Sequence, residues 1–171
     1  MKKQNRKEKT MIKEIKEDDI AECVDVIRRS FYTVAEELGF TIDNAPRFTA
    51  FATTQDRLLY QIKNEHRQMY AYYENNDKII GYYSLELQDN NQCELNNLCV
   101  LPQYRHKHIG TNLLEDACIK AKKAGCKKIN IGIVEENKVL KKWYVENGFI
   151  HTGTKKFDFF PFTCGYMEMD L

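Results

Sequence analysis

The 171 residues carry 26 Lys+Arg against 25 Asp+Glu, a net charge of +1 and a pI near 7.6. A chain of this length is one domain burying about 70% of its unfolded surface, and so even a charge balance supplies no field to draw in nucleic acid or an anionic membrane. No apolar run approaches the ~20 residues of a membrane span, and the cysteines at 23, 93, 99, 118, 126 and 164 form neither Cys-x-x-Cys nor zinc spacing with a His, which reads as reduced thiols of a cytoplasmic protein.

Residues 1–9 are basic, and the charges at Lys13, Glu14, Lys16, Glu17 and Asp18 exclude the apolar core of a signal peptide, so a flexible leader is expected ahead of a single domain over 10–171. Thr10 to Ile15 reads as a strand. Asp18 or Asp19 then caps a helix whose apolar residues Ile20, Cys23, Val24, Ile27, Phe31 and Val34 follow the helical period, broken at Gly39. From Gly39 to Thr54 the chain is loop-like, and a second helix starts at Thr53 or Thr54 and runs through Leu58, Leu59 and Ile62. Strands follow at Met69–Tyr73, Lys78–Leu87 and on to Leu101, separated by the turn signals Asn75-Asn76-Asp77 and Asp89-Asn90-Asn91.

Pro102 ends the third of these strands. After a basic turn, Ile109, Leu113, Leu114, Ala117, Cys118 and Ala121 define one stripe of a helix that closes with Lys120, Lys122, Lys123 and Gly125. The first N–H groups of that helix have no intrahelical partner and carry the positive end of the macrodipole, with Arg105 and Lys107 just before them. Such a place suits a phosphate or pyrophosphate. A buried strand at Ile129–Val134, a helix at Asn137–Asn147 stopped by Gly148, and strands at Phe149–Thr154 and Gly165–Leu171 complete the order β-α-α-β-β-β-α-β-α-β-β.

Arg105-His106-Lys107-His108-Ile109-Gly110, after a Val-x-Pro strand end, resembles the pyrophosphate loop (Arg/Gln-x-x-Gly-x-Gly/Ala) of the GNAT superfamily of acyl-CoA N-acyltransferases. The first loop glycine is His108 here, among the non-glycine residues found more often at positive φ. The segment Asn137 to Phe149 resembles the family's second signature, Asn-x6-Tyr-x3-Gly-Phe, with all four marked residues present. The resemblance runs from about Met11 to the end. It implies an α/β fold with a mixed, mostly antiparallel sheet of six or seven strands flanked by about four helices.

It further implies acetyl-CoA as co-substrate without a metal, an amine acceptor that is a small molecule or peptide, and direct attack of the amine in a ternary complex. By the same resemblance the backbone of Leu98, Cys99 and Val100 holds the pantetheine arm, the backbone N–H groups of the loop with Arg105, Lys107, His108, Ile109, Gly110 and Thr111 hold the pyrophosphate, and Asn137 contacts the pantetheine. Tyr144 becomes the general acid, a phenol protonated at neutral pH. Glu94 is the base candidate: six residues before Val100, it is expected on the same face of the strand. Glu86 is the reserve, and a water relay an alternative to either.

Trp143 is left to the core. Aromatics between Gly39 and Thr53 and between Phe157 and Thr163 border the acceptor pocket in this reading, where Glu36, Glu37 and Asp43 would meet a cationic amine. His66, His106, His108 and His151 lack metal spacing. Two other classes stay open: a non-catalytic CoA-binding domain, motivated by His108, and a basic interaction module through Arg105–Lys107 and Lys120–Lys128, which lacks a wider basic face. The resemblance leaves a homodimer open.

Overall fold

The computed structural model describes residues 11–171; the expected leader and Thr10 lie outside the described residues. The strands are β1 (Ile12–Glu14), β2 (Gln68–Glu74), β3 (Lys78–Gln88), β4 (Gln92–Val100), β5 (Lys128–Val134), β6 (Ile150–Lys156) and β7 (Thr163–Asp170). The helices are α1 (Ile20–Leu38), α2 (Thr49–Ala52), α3 (Gln55–Lys63), α4 (Ile109–Lys123) and α5 (Lys138–Glu146). The element order agrees with the sequence reading except for α2, a single turn inside the segment read as loop.

The strands form one sheet in the order β1-β2-β3-β4-β5-β7-β6, antiparallel throughout except for β4 beside β5. The tight turns are made by asparagines at positive φ, Asn75 and Asn76 before β3, Asn90 and Asn91 before β4, because Asn visits the left-handed region at little cost. Helix ends follow local chemistry as well. The Thr54 hydroxyl accepts from the Arg57 N–H at 3.1 Å, Asn137 Oδ1 accepts from the Leu140 N–H at 3.1 Å, and Gly39 closes α1 at φ 73°.

Helices cover both faces of β3 and β4. A Cβ built on Gly81 would lie 2.8 Å from Leu113 of α4, so Gly81 and its register partner Val100 face α4. Tyr82 and its partner Cys99 face α1, whose Ile20, Cys23, Val26 and Ile27 are buried in the same core. A second cluster, Ala35, Phe40, Ala45, Phe48, Ala50 and Phe162, packs the chain between α1 and α3 against the β6–β7 loop.

Two features of β4 prepare the site. Asn97 sits at φ 54°, and the register with β3 slips between Tyr82↔Cys99 and Ser84↔Asn96, so one extra residue bulges out of the strand. Beyond Glu94↔Asn130 the parallel ladder between β4 and β5 stops, and the two strands part.

Candidate active site

Where β4 and β5 part, their facing edges border a cavity of about 260 Å³, lined by Glu94 to Leu98 from β4 and Ile131 to Val134 from β5. Backbone groups on edges no longer paired to each other are free to take a strand-like guest of alternating amides. Asn137, Leu140 and Tyr144 line it from α5, and Arg47, Phe48, Phe160 and Phe162 line it from the chain between α1 and α3 and from the β6–β7 loop.

The loop before α4 turns tightly, with His106 and His108 both at φ 61°. His108 therefore takes the left-handed conformation that a glycine would supply, at a cost of about 1–2 kcal/mol for an L-residue. The first main-chain bond of α4 is Asn112 N–H to the His108 carbonyl at 3.0 Å, and His108 caps the helix without a side-chain bond. The N–H groups from Ile109 to Thr111 are thus unpaired at the positive end of the helix. Lys107 stands beside them, exposed, its Nζ 5.3 Å from the Tyr104 ring centre. Gly110 is close to the cavity's α5 wall: a Cβ there would come within 3.7 Å of Trp143 and 3.9 Å of Val100.

Arg105 points elsewhere. Its guanidinium donates to the Val100 carbonyl at 3.2 Å, the Thr33 hydroxyl at 3.1 Å and the Ser30 carbonyl at 2.8 Å. These bonds tie the end of β4 to α1, so the side chain braces the loop. Burial lowers the pKa of the guanidinium. Cys99 is also buried on the α1 side, and burial pushes its thiol up to about 12, which leaves no reactive thiolate there.

Tyr144 is 5% exposed, gripped edge-on by Trp143 at 4.9 Å and Phe149 at 5.2 Å between ring centres. Burial raises its pKa above the ordinary phenol value, so it stays protonated at every physiological pH. Its neighbour Trp143, assigned to packing, does pack, and also forms the wall next to Gly110.

Glu94 lines the cavity and accepts from Gln88 Nε2 at 3.2 Å. Burial first and the like charge of Glu86 second raise its pKa, opposed by Arg67 and the Gln88 bond. Glu86, its register partner, is held by Arg67 Nη2 at 2.8 Å. The bulge corrects one expectation: alternation carried through Asn97 changes phase, so Glu94 shares a face with Asn96 and Cys99 and lies opposite Val100. A count of six residues holds for an unbroken strand only.

Phe48, Phe160 and Phe162 border the cavity, whereas Glu36, Glu37 and Asp43 do not reach it and the lining cation is Arg47. Arg47 is the one basic residue between Gly39 and Thr54, a signal the sequence reading passed over. Among the described residues, no helix is long and apolar enough to cross a membrane, and no cluster of His, Cys, Asp or Glu is arranged to hold a metal ion.

The model of the acetyltransferase (GNAT) family matches residues 29–149. Over 84 residues the chain is 34% identical to an uncharacterized N-acetyltransferase of Schizosaccharomyces pombe, an alignment covering 47% of this chain and 56% of that protein. The match therefore spans little more than half the length of this relative. Among solved structures, the PaiA N-acetyltransferase from Thermoplasma acidophilum, in complex with coenzyme A, superposes with a TM-score of 0.80 at 22% identity, covering 94% of this chain and 98% of that one. A GNAT family acetyltransferase from Elizabethkingia anophelis with acetyl-CoA bound superposes with a TM-score of 0.60 at 27% identity, covering 67% and 82%.

Proposed function

The chain belongs to the acetyltransferase (GNAT) family, and on that footing we propose that it moves an acetyl group from acetyl-CoA to a primary amine by direct attack in a ternary complex. The observation that carries this reading is the parting of β4 from β5 beside a helix whose leading amides are unpaired. One gap offers strand edges to a pantetheine arm, and its neighbour offers N–H groups to a pyrophosphate. Both parts of coenzyme A thus meet groups of fitting chemistry, and the coenzyme-bound neighbours of the same fold agree with that assignment.

In this reading the amides of Ile109, Gly110 and Thr111, with Lys107, hold the pyrophosphate, and the main chain of Leu98, Cys99 and Val100 holds the arm. Arg105 acts on them through the loop it braces, and Asn137 borders the arm from the start of α5. Bound acetyl-CoA supplies a thioester. The amine nitrogen bonds its carbonyl carbon, the carbon–sulfur bond breaks, and the sulfur departs with the electron pair. Glu94 takes the proton that the ammonium must lose, directly or through water, and its raised pKa brings it nearer to a base of useful strength at neutral pH.

Tyr144 offers its proton to the departing sulfur. With a pKa above that of an ordinary phenol it gives this proton as a strong hydrogen bond more readily than as a completed transfer, since a thiol's pKa lies near 8.5. His108 already has the loop conformation of a glycine, so it lends no support to a domain that only senses the coenzyme. The test is thiol release from acetyl-CoA across a panel of amines. Tyr144→Phe is expected to lower kcat about a hundredfold with coenzyme A affinity within about twofold, and full retained turnover would return Tyr144 to packing.

A further inference from the structure

The cavity's lining is chemically mixed. Asn137, Leu140 and Tyr144 line it from α5, and the chain between α1 and α3 and the β6–β7 loop line it with phenylalanines and Arg47. The guanidinium carbon of Arg47 lies 4.4 Å from the centre of the Phe159 ring, and no carboxylate among the described residues pairs with it. Stacking holds a guanidinium plane in place while leaving its edge donors free for an anion. Arg47 and Glu94 are the charged side chains lining the cavity, one of each sign.

That pair discriminates between acceptors. A polyamine would bring a second cation into a space whose one fixed cation repels it, whereas a zwitterion satisfies both fixed charges. The phenylalanine walls ask for an apolar body on the molecule that carries the two charged groups.

We propose that the acceptor is a small zwitterionic amine with an aromatic or aliphatic body, in class an α-amino acid, whose carboxylate is held by Arg47 while its amine gives up its proton to Glu94. This rests on the acyl-transfer reading above and names the substrate class of the same site. The product is the N-acetyl amino acid, formed as the thiol leaves with its proton.

The experiment pairs molecules that differ by one carboxylate: L-phenylalanine with 2-phenylethylamine, and L-leucine with 3-methylbutylamine. Spermidine, a triamine protonated at neutral pH, is the polycationic contrast. Calorimetric titration into protein saturated with coenzyme A, where no turnover occurs, should find each amino acid bound at least about tenfold more tightly than its decarboxylated partner, the scale of one charged hydrogen-bonded pair. Arg47→Gln should erase that ratio, Arg47→Lys should keep part of it, and Arg47→Glu should invert it. Equal or tighter binding of the decarboxylated amines or of spermidine, no binding of either amino acid, or a ratio unmoved by Arg47→Gln overturns the assignment.

A second arm measures thiol release from acetyl-CoA with the same compounds. Selective binding without thiol release refutes acyl transfer and leaves the carboxylate assignment standing. Thiol release with spermidine or 2-phenylethylamine but with neither amino acid upholds acyl transfer and refutes the assignment.

Discussion

Arg105→Met removes the guanidinium while keeping the apolar stem, and its effect separates bracing from ligand binding. The wild-type side chain makes hydrogen bonds of 3.2, 3.1 and 2.8 Å to Val100, Thr33 and Ser30. Bonds to a charged group are worth roughly 1.5–3 kcal/mol each before overlap. The Ser30 carbonyl also accepts from the Thr33 hydroxyl at 2.9 Å, and a half-buried site admits some water, so the sum is discounted. The expected loss is about 2–3 kcal/mol, or about 5–10 °C in Tm for a domain of this size. Calorimetric melting with and without coenzyme A, beside titration of the coenzyme, reads both quantities. Arg105→Lys should rescue little, because one ammonium cannot span three acceptors in a fixed fork. A Tm within about 1 °C of the parent, with coenzyme affinity weakened about tenfold and restored by lysine, would refute the brace and return the guanidinium to the phosphates.

Three further outcomes are expected. The ascending limb of the kcat/KM–pH profile reports deprotonation of Glu94, so it should lie above the ordinary carboxylate range; Glu86→Gln removes a repelling charge and frees Arg67, which must move the limb to lower pH, and an unmoved limb would remove Glu94 as base. Gly81→Ala puts a Cβ 2.8 Å from Leu113 and 3.2 Å from the Cys99 carbonyl oxygen, and should cost about 1–3 kcal/mol in denaturant melts; no loss would mean that α4 sits less tightly on β3. His108→Gly takes the same left-handed backbone without a Cβ and should gain about 0.5–1 kcal/mol; a loss would reveal a contact made by the imidazole.

Long elements were legible because their patterns are long. The stripe from Ile109 to Ala121 and the asparagine turns around β3 determined the element order without reference to tertiary contacts. The turn Thr49–Ala52 was not legible, since four residues cannot display a period of 3.6. The phase of β4 failed for a different reason: alternation assumes an unbroken ladder, and Asn97 breaks it. Asparagine's tolerance of positive φ was the available hint. Composition located a basic loop, yet it could not tell that Arg105 turns back to α1 while Lys107 stays outside. That choice depends on acceptors at Ser30 and Thr33, distant in sequence. Arg47 was visible as a lone cation among loop aromatics, but its partner ring at Phe159 becomes adjacent only when the β6–β7 loop folds over.

The parallel joint between β4 and β5 spans Gln92 to Glu94 only, so the molecule is two half-sheets sharing a short seam. Anything that lies along the remainder of that seam becomes mortar as well as cargo, bonding to both halves at once. A ligand held in that cleft would therefore raise the stability of the folded molecule by mass action.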